Sequence, residues 1–331
     1  MSPLRAGYDA LLVDLDGTVY AGPRAIDGAI DTLRHGGQQV LYVTNNASRA
    51  PADVARHLQE LGLPATEGDV VTSAQSAAKL LGDQLPAGSA VLIVGTDALA
   101  EEIQKRGLLP VCEFSADPVA VVQGHSTTTD WTILAEAALA IRAGAVWVAA
   151  NVDPTLPSDR GLLPGNGSLV AALRTATARE PQVAGKPAAP LMRDAVQRAQ
   201  ARRPLVIGDR LDTDIAGGRG AGLPTLLVMT GVSTAMDVLR APEAERPDHI
   251  GADLRALDLP AADSAVGPVE GCTAHVDGDD LVLSCAGGPV SAVDALRAAC
   301  GAAWAAPAFR TVVAADAGAA AVLRQWGVDD H

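Results

Sequence analysis

Short apolar runs bounded by turn-forming residues recur along the chain, at residues 10–13, 39–43, 90–94, 119–122, 145–149, 205–207 and 225–228. Runs of this length, rich in Val, Leu and Ile, predict strands buried on both faces. Between them, apolar positions return every three or four residues, which predicts helices over 26–35, 52–61, 97–106, 131–142, 168–178, 191–199 and 213–221. Alternation of the two patterns predicts parallel α/β layers. Helix-boundary residues agree with it: Pro51 follows Ser48, Thr96 precedes Asp97 and Glu101, and Gly144 closes the 131–142 pattern. Trp131 and Trp147 fall in a helix and a strand pattern, where large rings are expected to anchor the core. The stretch 241–271, rich in Pro, Ala, Asp and Glu, reads partly as a linker. Beyond it a short α/β segment is expected to stand apart, with a hairpin over 276–285, a helix over 290–300, a strand over 311–314 and a helix over 318–326.

At 331 residues, 48% of them hydrophobic, the chain exceeds the usual size of one domain. Its 25 Lys+Arg against 39 Asp+Glu give a net charge of −14, which argues against capture of nucleic acid or of an anionic membrane surface. Asp9, Asp14 and Asp16 interrupt the first apolar stretch, so no secretory signal is read there. The most apolar internal region, 135–151, carries Glu136, Arg142 and Gly144 and falls short of the ~18 apolar residues of a membrane span. A cytoplasmic protein with no membrane partner is the expectation, and a homo-oligomer is compatible with it. Cys112, Cys272, Cys285 and Cys300 form no close sequence pair and read as reduced, structural thiols. Only three lysines occur, Lys79, Lys105 and Lys186, so each invites a specific reason.

Candidate chemistry lies at strand ends. The run from Leu11 to Val13 leads directly into Asp14, Leu15, Asp16, Gly17 and Thr18. That pattern sets two carboxylates at the C-terminal edge of a strand, where open parallel sheets bind ligands, with a glycine that lets backbone amides approach an anion. Alone, such a motif also serves as a solvated turn. A second run ends in Thr44, Asn45 and Asn46, residues able to bond phosphate oxygens and equally able to cap a helix. Gly185, Lys186 and Pro187 put a lysine into a turn ahead of a helical pattern. The run 205–207 again leads into acids, through Asp209, Asp212 and Asp214.

In this order the four elements resemble the haloacid dehalogenase superfamily of phosphohydrolases, from about Tyr8 to Asp258. The resemblance implies a Rossmann-like parallel-sheet core with an inserted α/β cap domain and, here, a small C-terminal α/β segment. It implies Asp14 as nucleophile and Asp16 as general acid and base. It further implies Mg²⁺ held by Asp14, Asp16 through its backbone carbonyl, and Asp209, with Thr44, Asn45 and Lys186 on the phosphate and Gly17 and Asp214 in support. The chemistry agrees: a hard cation prefers oxygen ligands and lets a carboxylate approach a phosphate, and an aspartyl-phosphate splits hydrolysis into two displacements. Asp16 disfavours a dehalogenase, because a departing halide needs no proton.

Roughly 140 residues separate Thr44 from Lys186, room for a complete α/β insert. The expected boundaries are 1–80 with 183–260 for the core, 81–182 for the cap and 268–331 for the C-terminal segment. A cap in that position resembles the subclass IIA phosphatases, whose substrates include glycerol phosphate, phosphoglycolate, pyridoxal phosphate, nucleotide monophosphates and nitrophenyl phosphate. Segments 151–157 and 164–168 resemble its cap motifs, which makes Asp153 and Asn166 substrate candidates, although turn formation alone also explains such residues. The overall layout resembles the actinobacterial glycerol 3-phosphate phosphatases, which implies that substrate, and in which the segment after about Gly271 resembles part of an acetyltransferase (GNAT) fold. At about sixty residues, with no glycine loop for a pyrophosphate, that segment reads as a packing or association module. The competing readings are a phosphotransferase, a noncatalytic phosphometabolite sensor and a sugar-nucleotide transferase.

Overall fold

The computed structural model describes residues 2–158, 160–286, 290–306 and 308–328. The chain divides into two compact units, Met1–Val40 with Ala201–His331, and Leu41–Gln200.

In the first unit four parallel strands lie in the order His249–Gly251, Thr225–Val228, Pro204–Gly208 and Ala10–Val13. Every residue of Ala10–Val13, Pro204–Gly208 and Thr225–Val228 is buried, as unbroken apolar runs require when both faces are covered. The expected regular helix over 213–221 is replaced by a π-helical turn, Leu211–Ile215, that continues into the short helix Ala216–Gly220. That wide turn carries Asp214, whose Oδ2 accepts the Arg210 N–H at 3.1 Å.

The stretch 241–271 is less of a linker than its composition implies. His249–Gly251 pairs with Thr225–Val228, and Leu254, Ala256 and Leu257 are buried. Three apolar-centred residues between Pro247 and charged neighbours are too short a run to register as a strand.

Nor does the C-terminal segment stand apart. Thr273–Asp277 pairs antiparallel with Asp280–Ser284, which pairs in parallel with Thr311–Ala314. With the helices Ala292–Ala305 and Ala317–Gln325, these strands share one hydrophobic core with the first unit's sheet. Leu281, Leu283, Leu296, Val312 and Leu323 are buried in the same cluster as Leu211, Ile215, Leu227 and Ile250. Arg297, 4% exposed, donates to the carbonyls of Ala262, Asp263 and Ala265, and Trp304 Nε1 donates to Val238 O at 2.9 Å. The hairpin also brings together the two cysteines that flank it, 13 residues apart in sequence, with Cys272 and Cys285 Sγ in contact at 2.8 Å. Burial, followed by the neighbouring Cys285 thiol, pushes Cys272 up to about 12, so it stays a thiol at neutral pH.

Removing residues 268–331 would therefore uncover apolar side chains of the remaining unit. Each fully buried aliphatic side chain contributes roughly 1.5–3 kcal/mol, against a total stability of roughly 5–15 kcal/mol. A chain ending at residue 267 is expected to melt well below the full-length protein and to lose solubility. An unchanged melting temperature would show that the shared core contributes nothing.

In the second unit, Tyr42, Val43 and Thr44, the last residues of the strand Gln39–Thr44, pair in parallel with Val70–Thr72. A five-stranded parallel sheet follows, in the order Gln182–Val183, Val146–Ala149, Ala120–Gln123, Ala90–Val94, Leu109–Val111. Ser73–Gly82 and Asp97–Lys105 supply Ala74, Ala77, Leu81, Leu99 and Ile103 to one hydrophobic cluster. Trp131–Arg142 and Asn166–Thr177 supply Ala137, Ala140, Ile141, Val170 and Leu173 to another. Trp147 anchors the latter as expected, its Nε1 donating to Gln123 Oε1 at 3.2 Å. Trp131 does not: it opens its helix at 81% exposure. The helix buries the stripe through Ala137, Ala140 and Ile141, and Trp131 lies off it. Among the described residues no helix is long and apolar enough to cross a membrane.

Candidate active site

In the first unit the strand Ala10–Val13 delivers Asp14 at its C-terminal end, with the Asp14 N–H still bonded to Ile207 O at 2.8 Å. The neighbouring strand Pro204–Gly208 delivers Asp209 at the same edge, and the π-helical turn brings in Asp214. One carboxylate oxygen from each of these three residues lies within 4.8 Å of the others. Asp209 and Asp214 are buried and Asp14 partly so. Crowded, buried carboxylates repel one another, and hard oxygen donors in such a set suit a small divalent cation.

Local chemistry holds the cluster in place. Val232 N–H donates to Asp209 Oδ2 at 2.7 Å, and Thr18 Oγ1 lies 3.4 Å from Asp209 Oδ1. Gly17 adopts φ +89°, and a Cβ there would stand 2.5 Å from Asp209 Oδ2. Position 17 thus needs glycine twice, for its left-handed backbone and for the approach of Asp209. Thr230 Oγ1 ties this loop down by donating to Gly17 O at 2.6 Å. The Asp16 carboxylate stands outside the three-residue cluster, on an exposed residue whose backbone bridges to Tyr20.

In the second unit Thr44 ends its strand 3% exposed, its Oγ1 accepting the Asn46 N–H at 3.0 Å and keeping its own hydroxyl hydrogen to donate. Lys186 is 2% exposed, and its Nζ donates to Val43 O at 2.9 Å. A buried ammonium is costly to desolvate, which separates this lysine from the other two. Lys79 pairs with Asp194 at 2.5 Å and Lys105 with Glu102 at 2.7 Å, both part-exposed ion pairs. Asn45, Asp153 and Lys186 form one hydrogen-bonded group. Asn166 is 1% exposed and donates to Asn151 O at 2.7 Å, which supports the turn that carries Asp153.

Several supporting residues escape a reading of the chain alone. Ser73, Thr230 and Val232 act through hydrogen bonds to residues distant in sequence, Asn45, Gly17 and Asp209. Only the turn residues after Val228, Thr230 and Gly231 at the end of a strand, carry a local signal.

A family model for haloacid dehalogenase-like hydrolases matches residues 11–109, and a second HAD-hydrolase-like model matches 183–257. A GCN5-related N-acetyltransferase-like domain model matches 270–328. The D-glycerol 3-phosphate phosphatase of Mycobacterium tuberculosis is 52% identical over 346 aligned positions, which cover 100% of this chain and 98% of that protein. The crystal structure of glycerol phosphate phosphatase from the same organism, in complex with magnesium, superposes with a TM-score of 0.95 at 53% identity, covering 99% of this chain and 100% of that one. The acid sugar phosphatase of Staphylococcus aureus is 38% identical over 236 residues, 70% of this chain and 90% of that protein.

Proposed function

The chain belongs to the haloacid dehalogenase-like hydrolases, and we propose that it is a Mg²⁺-dependent phosphatase that hydrolyses glycerol 3-phosphate to glycerol and inorganic phosphate. The chemistry is carried by the convergence of Asp14, Asp209 and Asp214 at one strand edge. The substrate rests on the full-length likeness to the mycobacterial enzyme. We assign residues 1–80 with 183–260 to the phosphatase core, 81–182 to a cap domain and 268–331 to a packing module. We place the reaction in the cytoplasm, where the buried thiols Cys272, Cys285 and Cys300 stay reduced.

An Asp14 carboxylate oxygen attacks phosphorus while the bond from phosphorus to the glycerol oxygen breaks, leaving an aspartyl-phosphate. Asp16 gives its proton to the departing alkoxide. It then takes a proton from the water that attacks the same phosphorus, which releases phosphate and frees Asp14. The exposed position of Asp16, outside the carboxylate cluster, suits a group that must exchange a proton each half-cycle. The Thr44 hydroxyl and the Lys186 ammonium meet the phosphoryl oxygens as charge builds on them. Asp14, Asp209 and Asp214, with the Asp16 backbone carbonyl, would hold Mg²⁺, whose charge offsets repulsion between nucleophile and phosphate.

A panel of phosphate esters with Mg²⁺ tests the reading, followed by release of inorganic phosphate. Glycerol 3-phosphate is expected to exceed phosphoglycolate, pyridoxal phosphate and nucleotide monophosphates in kcat/KM. A clear preference for another ester would overturn the substrate and leave the chemistry standing. Asp16→Asn is expected to cost about a hundredfold or more on glycerol 3-phosphate, and about tenfold less than that on nitrophenyl phosphate, whose leaving group is already acidic. Equal losses on the two esters would remove the proton-transfer role from Asp16.

A further inference from the structure

From the hydrogen bonds around Asn45 we infer that Asn45 and Asp153 form a clamp that positions Lys186, and that Asp153 acts through this clamp and does not read the substrate. The inference rests on the phosphatase reading above, in which Lys186 meets the phosphoryl group.

The side chain of Asn45 is committed on both ends. Its Oδ1 accepts the Lys186 N–H at 2.8 Å, and its Nδ2 donates to Lys186 O at 3.1 Å. One carboxamide thus pairs with both main-chain groups of a single residue, as a neighbouring strand would. The second Nδ2 hydrogen goes to Asp153, with Oδ2 at 3.1 Å and Oδ1 at 3.4 Å. A carboxylate accepts only, so it fixes which end of the Asn45 amide is nitrogen and therefore which main-chain group of Lys186 each end meets. Gly185 makes the approach feasible: a Cβ there would stand 2.6 Å from Asn45 Oδ1 and 2.5 Å from Ala150 O.

The backbone of the clamp is held as firmly as its side chains. Asn45 O accepts from Ser73 Oγ at 2.6 Å and from Asn151 Nδ2 at 2.7 Å. Asn151 Oδ1 in turn accepts the Asp153 N–H at 3.2 Å, which closes a ring of bonds through Asn45, Asn151 and Asp153. Lys186 Nζ donates to Val43 O, two residues before Asn45, so both ends of the lysine are referred to the same strand terminus. A transition-state contact loses its effect when its donor is displaced by about 1 Å, and this arrangement guards the ammonium against that displacement.

The test compares Asp153→Ala, Asp153→Asn, Asn45→Ala, the Asn45→Ala/Asp153→Ala double variant and Lys186→Ala in the full-length Mg²⁺-loaded enzyme, on glycerol 3-phosphate and on nitrophenyl phosphate, with thermal melting to confirm folding. Asp153→Ala is expected to lower kcat by about tenfold to a hundredfold, by the same factor on both esters, with KM little changed. Asp153→Asn should recover most of that loss, because its carbonyl oxygen still accepts from Asn45 Nδ2. The double variant should fall no further than Asn45→Ala alone, as expected of two residues acting as one unit. A loss confined to glycerol 3-phosphate, or an Asp153→Asn as impaired as Asp153→Ala, would make Asp153 a substrate contact and overturn the clamp. Full activity of Asp153→Ala would overturn it as well. If Lys186→Ala itself turns over normally, the phosphatase assignment of Lys186 fails; if Lys186→Ala is impaired and the Asp153 variants are not, only the clamp fails.

Discussion

Asp14→Asn is expected to lower phosphatase turnover by at least about a thousandfold while leaving the fold intact. The amide is nearly isosteric with the carboxylate but is too poor a nucleophile to form the aspartyl-phosphate. The Asp14 N–H bond to Ile207 O is a backbone contact and survives the substitution. Stability is expected to rise slightly in metal-free protein, because three carboxylates within 4.8 Å become two and an amide. Phosphate release, intact mass to exclude deamidation, and thermal melting are the measurements. Mg²⁺-dependent turnover above about 1% of the unsubstituted enzyme would remove Asp14 as nucleophile.

Withdrawing Mg²⁺ is expected to reduce turnover to background and restoring it to return full activity. Two unit negative charges about 4 Å apart repel by about 4 kcal/mol at an effective dielectric of about 20, about a thousandfold in rate, and more than one such pair opposes attack here. A second readout separates metal binding from catalysis. Because a ligand that binds only the folded state stabilises it, Mg²⁺ should raise the melting temperature of the unsubstituted protein. Asp209→Asn should blunt that rise, since Asp209 is one of the three converging carboxylates. Chelator-resistant activity, or an equal rise in the Asp209 variant, would sink the metal assignment.

Local pattern was sufficient for much of the fold. The strands Ala10–Val13, Ala90–Val94, Thr225–Val228 and Thr311–Ala314 and the helix Trp131–Arg142 lie at the expected positions. An apolar run of four or five residues with turn residues on each side has few other ways to bury itself. The same is true of Asp14 and Asp209: each follows directly on a buried strand, and parallel pairing aligns strand ends, so the chain alone indicates that both reach one sheet edge.

Long-range contacts decided the rest. His249–Gly251 is a strand because Thr225–Val228 offers it an edge, not because three residues carry a pattern. The C-terminal segment merges with the first unit because Leu281, Leu283 and Leu296 find Leu211, Leu227 and Ile250, a match between surfaces that no single stretch displays. Trp131 is exposed because the buried stripe of its helix runs elsewhere. Asp214 joins Asp14 and Asp209 through a π-helical turn, where hydrophobic spacing predicts a regular helix. Asn45, Asp153 and Lys186 meet from points more than a hundred residues apart in the case of Asn45 with either partner. Periodicity reports which face of an element is apolar and motif order reports which strand ends carry chemistry, but hydrogen-bond partners are chosen by packing, and packing exists only once the distant segments have met.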